Sequence, residues 1–477
     1  MNLIFVNSDT FRRDHLGCYG NPRIRTPNLD RFAANGVVFD NAYSGSFPTV
    51  PNRHEVLTGR YVFTYHEWAP LPAGDVVLPE VLGRAGYTSM MIADTPHILQ
   101  RGFHYDRGFA GWQWIRGQEN DRLHTDPVDV KLPCAPHKLR EPERTVKQHL
   151  RNISRRHQES DCFCAQTMTT AADWLERNCR QQPFFLYVDT FDPHEPWDAP
   201  KWYVDLYDPG YEGEEVTYPV YGYWREFMTE RELEHSHALY CAEVTLVDTW
   251  VGKLLATVER LGLLENTAVF FTTDHGFYFG EHGLIGKTII VPGVGSQPFP
   301  LHEEVVRIPL IAHIPGFAGG RRVEAIVQPV DLMPTFLELA GVPDPGTTHG
   351  QSLLPLLRGE RDKLREFAVS SYPINRPVAG RPTTVTTSEW TFIYGAPESY
   401  ARGVRTEAVD STPRPELVAE EARTPQLYHR PTDPGHERNV IAEHPEVARE
   451  LHAAYVRFLE SVGTAPECVQ PRRQLDL

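Results

Sequence analysis

The chain has 477 residues, 41% hydrophobic and 23% charged, which excludes wholesale disorder and provides a sizeable core for two or three domains. Its 63 acidic and 47 basic residues give a formal net charge of −16, which excludes nucleic acid polymers and anionic membranes as general partners. Seven scattered cysteines, no basic-then-apolar leader and no apolar run near 20 residues read as a reduced, cytoplasmic protein without a membrane span.

In chain order, residues 3–6 (Leu-Ile-Phe-Val) predict a buried parallel strand. Asp9 then stands at a strand's carboxyl end, the edge where open α/β sheets bind ligands. A short helix over 28–35 stops at Gly36, and a strand follows at 37–39. A helix at 78–86, strands at 88–93 and 184–188, and helices at 165–179 and 239–261 continue the alternation. Strands at 268–272, ending at Asp274, and at 308–311 follow. This pattern predicts a large, mostly parallel mixed sheet sandwiched by helices. Stretches at about 104–160 and 198–235 read as insertions, the second rich in Tyr, Trp, Pro and Gly and on the substrate side. The charge run 359–366 reads as a solvated face, and Trp112, Trp114 and Arg116 as packing within an insertion. A hairpin over 383–394 and an amphipathic helix over 443–461 predict a small C-terminal α+β domain. The expected division is 1–365 and 366–477.

Three segments carry chemistry. Thr272-Thr273-Asp274-His275-Gly276 puts a carboxylate and an imidazole after a buried strand, where both can reach one divalent ion; Gly276 is expected to allow a sharp turn. Asp9 alone also fits a helix N-cap, but two strand-end carboxylates converge in a parallel sheet. The third is Thr49 to Arg60, bracketed as a helix by Pro51 and Gly59. Thr49 falls at its N-terminus, where an anion is favoured and a hydroxyl beside a metal can act as a nucleophile. Arg53, one turn on, can hold the transferring group's oxygens. The same two residues also fit an N-cap with an exposed arginine. An anionic substrate on so acidic a chain requires positive charge concentrated at the site.

The Thr49–Arg60 segment resembles the sulfatase signature, Cys/Ser-x-Pro-Ser-Arg then Leu-Thr-Gly-Arg. Other segments are similar to the same family within the alkaline phosphatase superfamily: Asp9-Thr10 to Gly20, Thr26 to Arg31, Asp192-Pro193-His194-Glu195-Pro196, Asp274 to Lys287, Asp331 to Leu353, and Leu427-Tyr428 to Asn439. The resemblance implies an ester hydrolase with a large α/β domain and a smaller C-terminal one. It implies Asp9, Thr49, Asp274 and His275 around a divalent metal. Arg53, His97, His194 and Lys287 would stabilise the transferring group or protonate the leaving group. Candidates for a second metal, as in Thr-containing relatives, are Asp189, Asp192, His194 and His302.

Two departures matter. Sulfatases oxidise Cys or Ser at position 49 to formylglycine, which Thr49 cannot become, so water must break a Thr ester at sulfur or phosphorus. Related phosphatases, phosphodiesterases and transferases carry Thr there. The family's Gly-Lys-Trp-His is Asp94-Thr95-Pro96-His97 here, and the missing Lys favours a monoanionic diester or phosphonate monoester. The expected function is hydrolysis of a small anionic phosphate, phosphonate or sulfate ester, with Zn²⁺ or Mn²⁺ fitting better than Ca²⁺ or Mg²⁺. Alternatives are a true sulfuric ester hydrolase without formylglycine, a phosphoryl-substituent transferase and a non-catalytic ligand-binding homologue. The substrate's organic part and the oligomeric state, a homo-oligomer included, stay open.

Overall fold

A computed structural model describes residues 1–291, 295–377, 381–395 and 419–477. Its large sheet comprises β1 (Asn2–Ser8), β2 (Val37–Tyr43), β3 (Thr88–Ala93), β4 (Gly111–Trp114), β5 (Phe184–Thr190), β6 (Thr267–Thr272), β7 (Arg307–Ile308), β8 (Leu310–His313) and β9 (Arg321–Val327). The order is β7-β2-β8-β6-β1-β5-β3-β4, with β9 on β2. Strands β6, β1, β5, β3 and β4 run parallel. The sheet is mixed because β7 and β8 run antiparallel to β2, and β8 also to β6.

Side chains alternate along β1. Ile4 and Val6 enter one apolar layer with helices α2 (Phe163–Asn178) and α3 (Glu230–Arg260). Leu3 and Phe5 enter the other, with α1 (Thr49–Thr58) and α4 (Leu332–Ala340). Both faces are covered, so β1 is apolar without interruption from Leu3 to Val6. Each such fully buried side chain contributes about 1.5–3 kcal/mol relative to exposure.

The register positions the chemistry. Asn7 lies opposite Asp189 on β5 and Thr272 on β6. Asp9 and Asp274, each two residues further on, therefore emerge at the same sheet edge beside Asp189.

A second, antiparallel sheet joins β10 (Ala368–Ser371), β11 (Thr383–Thr386), β12 (Trp390–Tyr394) and β13 (Gln426–His429). Helix α5 (Pro445–Ser461) covers it through Tyr455 and Leu459.

Several elements depart from their sequence signals. Helix α3 starts at Glu230, nine residues before its apolar periodicity, because Thr229 and Glu232 form a capping box. The 308–311 strand is split at Pro309, which has no N–H for a ladder. Strands β4 and β9 were not anticipated; β9 carries two arginines and one glutamate in seven residues, and β4 is only four long. In the 359–366 run, Arg365 is not solvated: it forks onto the buried Asp331 carboxylate, 2.6 Å from Oδ2. Trp112 is half-exposed on β4, and Arg116 lies over the Trp114 ring and pairs with Asp121.

Candidate functional site

Asp9, Asp274 and His275 are fully buried, and one ligand atom from each lies within 4.8 Å of the others. The His275 Nδ1–H donates to the Gly276 carbonyl at 2.9 Å, so Nε2 faces the carboxylates with the tautomer a metal needs. Asp9 Oδ1 accepts from the Thr10 hydroxyl at 2.7 Å, while Oδ2 lies 2.9 Å from Arg53 Nη1 without an aligned hydrogen bond. Burial first, then the Asp274 charge, pushes the Asp9 carboxyl well above its usual range. Burial acts the same way on Asp274, but His275, Arg53 and Lys287 outweigh it and hold that carboxyl down. A buried carboxylate oxygen with no aligned donor, a second carboxylate and an imidazole nitrogen facing both fit a divalent cation.

Gly276 serves a purpose other than a positive-φ turn. A Cβ there would lie 2.0 Å from the Glu304 carbonyl oxygen, so the strand end can approach that backbone only through glycine.

Thr49 is the first residue of α1 and is buried. Its helix packs on the Asp274–His275 loop: Asn52 Nδ2 donates to the Asp274 carbonyl at 3.4 Å, and the Phe47 ring lies 5.0 Å from that of His275. The Thr49 hydroxyl makes no hydrogen bond to any described side chain or backbone group.

Arg53 sits where four acceptors meet. Nε and Nη2 form a fork on Asp189 at 3.1 and 2.9 Å, and Nη1 reaches Asp9 and Asp274. The Asn7 amide oxygen, once its amide is oriented to suit, accepts from Nη2 at 2.8 Å. The guanidinium thus ties three carboxylates together at the sheet edge. Arg53 and Lys287 offset two of those three negative charges.

Lys287 follows the short strand Leu284–Gly286. Its Nζ lies 3.0 Å from His194 Nε2 and 3.2 Å from His275 Nε2. The His194 Nδ1–H donates to the Glu195 carbonyl at 2.7 Å. Burial, followed by Lys287 and Arg140, depresses the His194 ring far below its usual value, so it is neutral and accepts from Lys287. His194 stacks on Phe191 at 4.0 Å, and His97 meets the Phe191 ring in an edge arrangement at 5.5 Å.

His97 Nε2 lies 3.0 Å from Glu119. Despite its burial, Glu119 is held down to about 2 by His97 and Arg140. Glu119, Arg140, Tyr218 and Tyr221 line this flank and were not anticipated. They lie in the two insertions, where no periodicity or motif marks them.

The proposed second metal set is not assembled. Asp189 is occupied by Arg53, Thr95 and Tyr187. Asp192 accepts from Gln118 at 2.6 Å and from the Cys164 N–H. His302 stacks on His282 at 3.8 Å, with Nδ1 towards His436, and His194 is committed to Lys287. Hydrogen bonds satisfied elsewhere leave these four without a common focus.

No helix among the described residues is long and apolar enough to cross a membrane. The profile of the Sulfatase family matches residues 1–342, and that of N-sulphoglucosamine sulphohydrolase, C-terminal, matches 298–395. An arylsulfatase of Clostridium perfringens is 26% identical over 412 residues, 77% of this chain and 80% of that protein. The multifunctional alkaline phosphatase superfamily protein PehA of Trinickia caryophylli is 26% identical over 417 residues, 75% of this chain and 77% of that protein. A phosphonate monoester hydrolase of Agrobacterium radiobacter superposes with a TM-score of 0.71 at 19% identity, over 97% of this chain and 95% of that one. With the sheet, the strand-end carboxylates and a family match over residues 1–342 in agreement, the chain belongs to the sulfatase family of the alkaline phosphatase superfamily.

Proposed function

We propose that this sulfatase-family hydrolase cleaves a small anionic ester of phosphorus, a phosphodiester or phosphonate monoester, with Thr49 as nucleophile. The observation that carries this reading is Thr49 itself, a buried threonine opening α1 beside Asp274 and His275. Asp9, Asp274 and His275 would hold a divalent cation, Zn²⁺ or Mn²⁺ by donor chemistry, which when bound supplies Lewis-acid charge opposite the reacting group.

The chain's own groups do the rest. Thr49 gives its hydroxyl proton to solvent as Oγ bonds to phosphorus, and the bond from phosphorus to the leaving oxygen breaks. His97, paired with Glu119, gives that oxygen its proton. Lys287, oriented by neutral His194, binds a non-bridging oxygen. Arg53 keeps Asp9, Asp189 and Asp274 together. Water then gives a proton back to His97 as its oxygen attacks phosphorus, the bond to Thr49 breaks, and the Thr49 oxygen regains its proton from solvent. Resolution at phosphorus needs no second hydroxyl on the nucleophile's carbon, which threonine lacks.

The test is side-by-side hydrolysis of p-nitrophenyl sulfate, p-nitrophenyl phosphate, bis-p-nitrophenyl phosphate and p-nitrophenyl phenylphosphonate by wild type and Thr49→Ala. The diester or phosphonate should lead by orders of magnitude, and Thr49→Ala should abolish turnover. The match of residues 298–395 to the N-sulphoglucosamine sulphohydrolase C-terminal profile favours a second reading, sulfuric ester hydrolysis; a leading sulfate ester would establish it and overturn the first.

A further inference from the structure

Away from this site, three potential metal ligands converge without a role in the reaction. His15 ends the turn that follows the Asp9 loop, and His237 and Cys241 sit one turn apart on α3, so both project from one helix face. His15 Nε2 lies 2.6 Å from His237 Nε2, and Cys241 Sγ lies 3.7 Å from that same nitrogen. One donor atom from each falls within 4.8 Å of the others. We propose that His15, His237 and Cys241 form a second cation site, selective for a thiophilic divalent ion such as Zn²⁺.

The spacing suits such an ion. Tetrahedral bonds of about 2.0–2.1 Å to nitrogen and about 2.3 Å to sulfur put two nitrogens about 3.3 Å apart and nitrogen and sulfur about 3.6 Å apart. The two imidazoles need only open slightly, and their rings already stand at 82°, edges converging. The outer shell is in place too. The His15 Nδ1–H donates to Asp14 Oδ1 at 2.9 Å, which leaves Nε2 as the lone-pair donor, as carboxylate–histidine–zinc arrangements require. Asp14 pairs with Arg12, whose guanidinium also pairs with Glu281. These two carboxylates against one arginine leave local charge that does not oppose a cation. Tyr240 and Phe279 rings shield the cluster, while His237 is partly exposed and gives ions and a fourth ligand, water, access.

Binding replaces the Cys241 S–H bond with a bond to the ion and releases the thiol proton to solvent. The donor set is softer than the Asp9–Asp274–His275 set, so the two sites should differ in metal preference. The ion would also brace the catalytic edge. Tyr240, between the two helix ligands, accepts from the Arg12 N–H and donates to the Thr10 carbonyl, both at 2.8 Å, and Thr10 bonds Asp9.

The experiment is a Co²⁺ titration of full-length apo-protein, following the near-ultraviolet thiolate-to-cobalt charge-transfer band together with stoichiometry. Wild type should show the band. Cys241→Ser should lose the band and one equivalent of ion but keep turnover at saturating metal. His237→Asn, which retains the thiol, should behave likewise and serves if Cys241→Ser fails to fold. Asp274→Asn should keep the band while losing the other equivalent. Absence of the band in wild type, its survival in Cys241→Ser, or equal stoichiometry in the two proteins would overturn the proposal.

Discussion

At the scale of single residues, the site is an exercise in distributing a few charges inside a low-dielectric edge. Lys287 has its neighbours arranged so that it can only donate: both nearby imidazoles present Nε2 to it. Lys287→Ala should lower kcat/KM by at least about 10²-fold, the scale of losing one preorganised electrostatic donor, and steady-state kinetics at saturating metal checks it. His97→Ala should slow esters with alkyl leaving groups about 10²-fold but p-nitrophenyl esters far less, because only the former need protonation; equal losses on both would remove His97 from the proton's path. Glu55 illustrates the cost of burial without a cation. Its Oε2 accepts from the Ser46 N–H at 2.8 Å and from its hydroxyl, Oε1 has no partner, and burial raises the carboxyl to about 8. Because the folded value exceeds the unfolded one, Glu55's contribution to stability is complete below about pH 4 and is lost as pH rises through about 8. Glu55→Gln lacks this slope. Denaturant unfolding at pH 5 and pH 8 should show the variant gaining on wild type at the higher pH, and parallel behaviour would contradict the assignment.

At the scale of elements, the ends of strands and helices decide where these residues stand. Helix α3 is held at its start by Thr229, whose N–H donates to Glu232 Oε2 at 2.8 Å while its hydroxyl accepts from the Glu232 N–H at 3.3 Å. Thr229→Ala should cost about 1 kcal/mol, read as a lower denaturant midpoint at unchanged slope. Helix α4 starts at a stronger junction. Asp331 accepts from Arg365 and from the Gln328 and Gln351 N–H groups, both at 2.9 Å. Arg365→Ala leaves that carboxylate buried without its cation and should cost roughly 3–5 kcal/mol, far more than any truly solvated arginine in the same charge run.

At the scale of the molecule, the small sheet supports the segment that leads into the nucleophile. The Phe47 N–H donates to the Ser371 carbonyl and the Ser371 N–H to the Gly45 carbonyl, both at 2.9 Å, and Ile374 bonds Phe63 at 2.7 Å. Tyr61 and Phe63 pack against Phe458 of α5. A chain cut after residue 365 should therefore lose catalysis and expose the apolar surface that Val369, Phe392, Leu427, Tyr455 and Leu459 cover. Soluble expression and turnover of the truncated protein check this; an active, monodisperse 1–365 fragment would show that the large sheet stands alone.

The strand ends and their order of chemistry were legible in the sequence, since residues 3–6, 184–188 and 268–271 are uninterrupted apolar runs bounded by polar strand ends. Sheets buried on both faces require that pattern, and parallel pairing brings such ends to one edge. That reasoning located Asp9, Asp274 and His275, and the Thr49–Arg60 motif located α1 through its proline and glycine. What the sequence could not supply is partnership. Arg53's tie among three carboxylates, the bond Asp192 accepts from Gln118, and His302's stacking on His282 all depend on which groups lie nearby in space. A buried polar side chain takes whichever partner satisfies it, and residues far apart in the chain become those partners only when the sheet and its covering helices close.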